Sequence, residues 1–235
     1  MTTADGWMAA VRSRIGLGRL IPLGDAADGA WIAEPAADAV LRDAARSVRG
    51  VDPGRLRIAP ADTGPADAAS APTHPAPPGS VPHGPLRVDV DFAAGYGVPL
   101  PDLAERLRAA LSAAARDRLG LTVAEVDLRV TALLDAPPEP PAAAPPPDAP
   151  RAGEVPGGDA QPDPLAVLAA AVPGVARLTT VLGPSVHRAA DHVRVELATA
   201  PDHRVLDVAR AVRGAVGGTL PVTVVVTGAG AGRTS

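Results

Sequence analysis

LRVDVDFAAGYGVPLPDLAERLRAAL, residues Leu86 to Leu111, decides how this chain is read. Val88, Val90 and Phe92 alternate with Arg87, Asp89 and Asp91, the period of a strand with one covered face. Past Gly95 and Gly97 the spacing changes, and Leu103, Leu107 and Leu111 recur every fourth residue as one apolar stripe of a helix. A second version follows in VRVELATAPDHRVLDVARAVRGAV, Val193 to Val216, where Val195 and Leu197 alternate with charges and Val208, Val212 and Val216 repeat the stripe. Asp102 and Asp207 stand at the two helix openings, suited to cap the free N–H groups of a first turn.

Working outward, both copies keep the same neighbours. ARSVRGV (Ala45–Val51) and AAAVPGV (Ala169–Val175) each close a helical stretch. Apolar runs at Arg55–Ile58 and Arg177–Leu182 predict the first arm of an antiparallel hairpin, and VAEVDLRVT (Val123–Thr131) and PVTVVVT (Pro221–Thr227) predict a closing strand. Gly120 marks the end of the helix before the first of these. The expected fold class is therefore α+β: two small α-β-β-α-β modules, each a three-stranded sheet with helices on one face. The last strand–helix–strand of each should be a right-handed crossover between parallel strands.

The expected organisation is an N-terminal extension, 1–28, with a short helix and a strand. A first module spans 29–135 and carries a disordered insertion at 59–85. A proline-rich linker occupies 136–164, a second, degenerate module 165–228, and a disordered tail 229–235. Both proline-rich segments lack apolar periodicity and read as extended spacers. Within Asp5–Glu34, the pieces RLIPL and AWIAE predict an extra hairpin.

Composition narrows the function. All 22 basic residues are arginine, against 26 acidic ones, for a net charge of -4. That field repels nucleic acid and anionic membrane. There is no cysteine, which excludes disulfides, thiolate nucleophiles and cysteine zinc sites. No run approaches the ~20 apolar residues that cross a bilayer, so a cytoplasmic protein without direct transmembrane insertion is expected.

Three blocks carry a family resemblance: GAWIAEPAADAVLRDAARSVRGV (Gly29–Val51), VDVDFAAGYGVPLPDLAERLRAAL (Val88–Leu111) and GLTVAEVDLRVTALL (Gly120–Leu134). They resemble the alkaline shock protein family of bacterial general-stress and envelope-stress proteins, in the two-module form of actinobacterial chains. The second half is similar through AVPGV, HVRVEL and its valine strand. The resemblance implies a small α+β domain without catalytic residues, no cofactor, and a role near the envelope through protein partners, among them a membrane-anchored protein. Self-association follows from the open edges of three-stranded sheets. The chain departs from the family pattern by its 59–85 insertion and by Ala200-Pro201-Asp202-His203 where the first half has Gly95-Tyr96-Gly97-Val98.

Against this reading stand two alternatives. Asp89, Asp91, Glu125 and Asp127 are expected on one face of neighbouring strands, where carboxylates can hold a divalent cation for a small-molecule enzyme. Arg87, Arg129 and Arg194 dilute that cluster, and alternating charges are the ordinary dress of a solvated sheet face. His187, His192 and His203 allow a three-histidine zinc site on paper, whereas His74 and His83 fall in the insertion; solvent-exposed loop histidines explain all five. A nucleic-acid-binding module needs aromatic platforms, and only Trp7, Trp31, Phe92 and Tyr96 are present. Gly16-Leu17-Gly18 and Gly228-Ala229-Gly230-Ala231-Gly232 lack the following helix that a phosphate loop requires. Trp7, Met8, Val11 and Ile15 line one side of a short helix, read as packing onto the first module rather than binding a surface. No catalytic, cofactor-binding or metal residue is assigned.

Overall fold

A computed structural model describes residues 16–61, 74–95, 97–134 and 163–230. The helix expected over Trp7–Ile15 and nearly all of the linker lie outside them. Among the described residues the fold is mixed α+β, with two sheets and four α-helices.

The central stretch behaves as its spacing dictates. β3 (Val51–Pro60), β4 (Leu86–Gly95) and β5 (Val123–Leu134) form a three-stranded sheet in that order, with β3 antiparallel and β5 parallel to β4. α1 (Glu34–Arg46) precedes β3, and α2 (Leu100–Ala113) runs from β4 towards β5. Leu103, Leu107 and Leu111 are fully buried, as the stripe requires. Alternate residues of β4, Val88, Val90 and Phe92, are buried beneath the helices. α2 then widens into a π-helical turn over Ala114–Leu119, which Gly120 ends in the left-handed conformation at φ 86°.

In the second half α3 (Pro164–Ala170) leads to β6 (Val175–Leu178), β7 (Val186–Arg188), β8 (Val193–Thr199), α4 (Val205–Val216) and β9 (Val222–Ala229). β6 and β7 are both antiparallel to β8, and β9 is parallel to it. The arm expected over Arg177–Leu182 is thus split. The chain leaves the ladder after Leu178 because the loop folds onto Glu196, whose carboxylate accepts the Leu182 N–H at 3.0 Å.

Two details recur between the halves. In each parallel pair a register shift leaves one threonine unpaired, and its hydroxyl bonds back to the neighbouring strand: Thr131 to the Phe92 carbonyl at 3.3 Å, Thr227 to the Leu197 carbonyl at 3.4 Å. In each Gly-Val step the glycine has positive φ, 88° at Gly50 and 90° at Gly174, and its carbonyl accepts the N–H of Gly95 or Ala200 at 2.7 and 2.8 Å.

Several expectations need correction. Asp102 and Asp207 do not cap their helices. Pro99 and Arg204 occupy the cap positions without side-chain bonds, and the aspartates fall inside the first turn, where they meet the positive end of the helix dipole. The second half does not keep a three-stranded sheet. β1 (Leu20–Leu23) and β2 (Ala30–Ala33) form the extra hairpin, and β2 adds in parallel to β9, pairing Ala30 with Val224 and Ile32 with Val226, to give a six-stranded sheet. α1 therefore leaves one sheet and packs beneath both, and the buried apolar residues of the two halves form one contiguous core. The separate folded halves implied by the repeat are fused at this seam, because two short sheets alone leave too much apolar surface in water.

The seam is tight. The carbonyl of Gly120 accepts the Gly24 N–H at 2.9 Å, and a Cβ on Gly120 would lie 2.4 Å from the Cβ of Leu206. Buried Asp28 receives a two-pronged bond from Arg210 at 2.7 and 3.0 Å.

The later part of the insertion is also no spacer. Residues 74–85 lie across the six-stranded sheet: the Val81 N–H donates to the Leu20 carbonyl at 2.8 Å, Val81 is buried, and the Pro75 carbonyl accepts from Thr223 at 3.3 Å. The His83 ring meets Trp31 edge-on at 5.2 Å between centroids. At the far end Gly228 and Ala229 belong to β9, and the Gly230 N–H donates to Thr199, so the tail begins later than expected. Asp163, within the expected linker, caps α3 through the Leu165 N–H at 2.9 Å.

Candidate protein-binding edge

Each sheet edge exposes unpaired N–H and C=O groups unless something covers it. Two are covered. On β3, Arg42 donates to the carbonyls of Pro53 and Gly54 and Arg19 to that of Ile58, while Pro53 and a register shift bend the strand. On β1, Ser80 and Val81 of the insertion supply the missing partner. The third edge consists of β6 and β7, only 4 and 3 residues long and interrupted by the 179–185 loop.

β5 differs. It is 12 residues long, and among the described residues β4 is its only strand neighbour. Val130 is 40% exposed and Leu133 69%, although both are large apolar residues on a strand. Val126 and Leu128 rest against the core only in part. From outside the sheet, Arg108 places its Nε 3.4 Å from the Val126 carbonyl, a weak contact. The corresponding strand, β9, has the same bulged threonine, and there the outer edge is filled by β2.

The opposite face of β4 and β5 collects the residues of the metal-site alternative. Asp89 stands beside Asp127 and Asp91 beside Arg129. The guanidinium of Arg87 lies between the two aspartates, 3.0 Å from Asp89 and 3.1 Å from Asp127. Asp89 and Asp127 are thus paired with one arginine rather than converging on an empty position, and Glu125 lies beside Arg87 in the register. Among the described residues no group of three or more His, Asp or Glu is arranged to hold a metal ion. Of the three histidines of the zinc alternative, His187 is exposed on β7, His192 bonds Asp191 at 2.8 Å, and His203 bonds the Pro201 carbonyl at 3.1 Å.

His74 and His83 are not exposed loop residues. His74 sits over Gly29 with its Nε2 3.2 Å from Arg213, and burial, reinforced by that arginine, holds its pKa below the ordinary histidine value. Burial lowers His83 likewise. For Asp28, burial pushes the carboxyl upward, but the Arg210 hydrogen bonds and charge outweigh it, and its pKa lies below the usual range.

A cleft of about 210 Å³ between the π turn, α4 and the end of β9 is lined by Arg118, Asp202, His203 and Arg204. Its cations are already engaged, Arg118 with Asp43 at 2.9 Å and Arg204 with Asp207 at 3.2 Å.

Sequence reasoning saw open edges in general but not which strand keeps one. The signal was present in the closing strands: VTVVV is apolar on both faces, as a doubly covered strand must be, whereas VDLRV alternates. No helix among the described residues is long and apolar enough to cross a membrane. Compared with family models, curated proteins and solved structures, the chain gives no match.

Proposed function

We propose that this is a non-catalytic scaffold built on two alkaline-shock-like modules, which binds protein partners in the cytoplasm by accepting their strands at β5 and works near the envelope through a membrane-anchored partner. The duplication is supported by the matched threonine bulges and the matched glycine carbonyl bonds, which fall at corresponding places in halves whose sequences differ. The proline-rich linker then serves as a spacer between the modules and gives the second one length to reach back to the seam.

The observation that carries the binding role is the length and exposure of β5 beside two covered edges and a third that is short and interrupted. Backbone pairing along such a strand supplies affinity, and the flanking apolar side chains supply selectivity. A photo-crosslinking residue at position 133 of the full chain, expressed in cells, tests it. Discrete protein adducts are expected there and not from the same residue at position 57, on a strand whose carbonyls are occupied. Equal or absent capture at both positions defeats the proposal.

A further inference from the structure

We infer that the occupant of the β5 edge is β5 of a second copy of this chain, joined antiparallel about a two-fold axis at Leu128. This rests on the binding role just proposed and names its partner. A closed two-fold contact requires that the same patch be complementary to itself. In an antiparallel ladder directly opposed residues share a face, so only registers that keep inner residues facing inner residues are allowed.

Between its irregularities at Ala124 and Thr131, β5 presents Glu125, Asp127 and Arg129 outward and Val126, Leu128 and Val130 towards the helices. Centring the pair on Leu128 sets Asp127 opposite Arg129 of the second copy, twice. It also sets Val126 opposite Val130, twice, and Leu128 opposite itself. Shifting by one allowed step either way brings Asp127 against Asp127, with Glu125 then meeting Arg129, or Arg129 against Arg129, so that each shift opposes like charges at its centre. The register centred on Leu128 is therefore the one free of opposed like charges, and it too covers Val130, 40% exposed in the single chain. The two three-stranded sheets become one six-stranded sheet with the helices of both copies on the same face. That matches what β2 already does for β9 within each chain.

Sedimentation of the full chain over a range of concentrations tests this. The wild type is expected to go from one chain to two. Asp127→Arg and Arg129→Asp each oppose like charges twice in the homodimer, and each should weaken association at least about tenfold. Mixed in equal amounts, they form a pair in which every opposed charge is again complementary, and the two-chain species should return. Because these residues also touch Arg87 and lie beside Asp91, thermal unfolding of each variant is followed in parallel.

A variant that need not alter charge gives a second readout. The chain has no cysteine, so Leu128→Cys introduces the only thiol, and the two thiols meet on the axis. A short thiol crosslinker should join the copies at position 128 and not when the cysteine replaces Arg57. A wild type that stays single at all concentrations, a mixture that does not recover the pair, or no crosslink at 128 overturns the inference. If the residue-133 photo-crosslinker then still captures another protein, the scaffold role stands with a different occupant. If it captures nothing, both fall.

Discussion

Arg210→Ala is the substitution that examines the seam most directly. Arg210 lies on α4 and Asp28 on the short 3-10 turn between β1 and β2, at opposite ends of the chain, yet two bonds of 2.7 and 3.0 Å join them. The Asp28 side chain is 8% exposed and that of Arg210 46%. Removing the arginine leaves a buried carboxylate with the Asp25 N–H at 2.9 Å and without its cation. Loss of a charged partner from a buried group costs roughly 1–3 kcal/mol, and the half-exposed guanidinium places the effect in the lower part of that range. The sign with pH follows from Asp28. Its folded pKa lies below its unfolded one, so the pair stabilises the fold above the ordinary carboxylate value, about 3.9, and that contribution is lost as pH falls through the folded value. Urea unfolding of wild type and variant at pH 7 should therefore differ by about 1–2 kcal/mol, and the difference should shrink as pH falls below about 4. Signals from both halves should move together, since the seam joins them into one core. A difference that is negligible at neutral pH, or that persists unchanged in acid, would refute the reasoning.

Gly120→Ala should destabilise the chain by about 2–4 kcal/mol, since it places a Cβ against Leu206 where φ is 86°; calorimetry against a Gly79→Ala control, with open space at its Cβ but also positive φ, separates the clash from the backbone strain. His74 and His83 both have depressed pKa values, so their neutral forms favour the folded state and protonation opposes it. Contacts of residues 74–85 should hold above the ordinary histidine value of about 6.5 and weaken as pH falls below it, with Asp25 and Asp28 resisting the change and Arg213 promoting it. Hydrogen exchange at the Val81 N–H should accelerate over that range, and His74→Gln with His83→Gln should flatten the response; exchange that is indifferent to pH, after correction for its intrinsic rate, would count against it.

What the sequence made legible were features written in local spacing. The Leu103-Leu107-Leu111 and Val208-Val212-Val216 stripes and the alternation in β4 appear where periodicity places them, and the β1–β2 hairpin forms from the two apolar pieces RLIPL and AWIAE. The union of β2 with β9 left no such mark, because a parallel pairing between distant strands needs only that both be apolar, and AWIA and VTVVV carry no address for each other. Residues 74–85 depart from the expected spacer for a different reason. Proline density argues against helices and ladders, but an extended chain can still lay Pro77, Val81 and His83 on a sheet, and composition measures repetition rather than contact. For the candidate edge, the strand was legible and its vacancy was not, since that depends on which arginines reach the carbonyls of β3 and on what covers β1.

The β2–β9 pairing also governs the order in which the protein can be completed. On the ribosome, the hairpin that β9 needs emerges well before β9 itself, with both modules between them. Throughout synthesis Trp31 and Ile32 must wait beside an incomplete sheet, liable to pair with whatever strand is nearest. A circular permutant that begins at β3 and carries β1, β2 and α1 after β9 would shorten that wait, and should gain more in yield of native chain than in equilibrium stability.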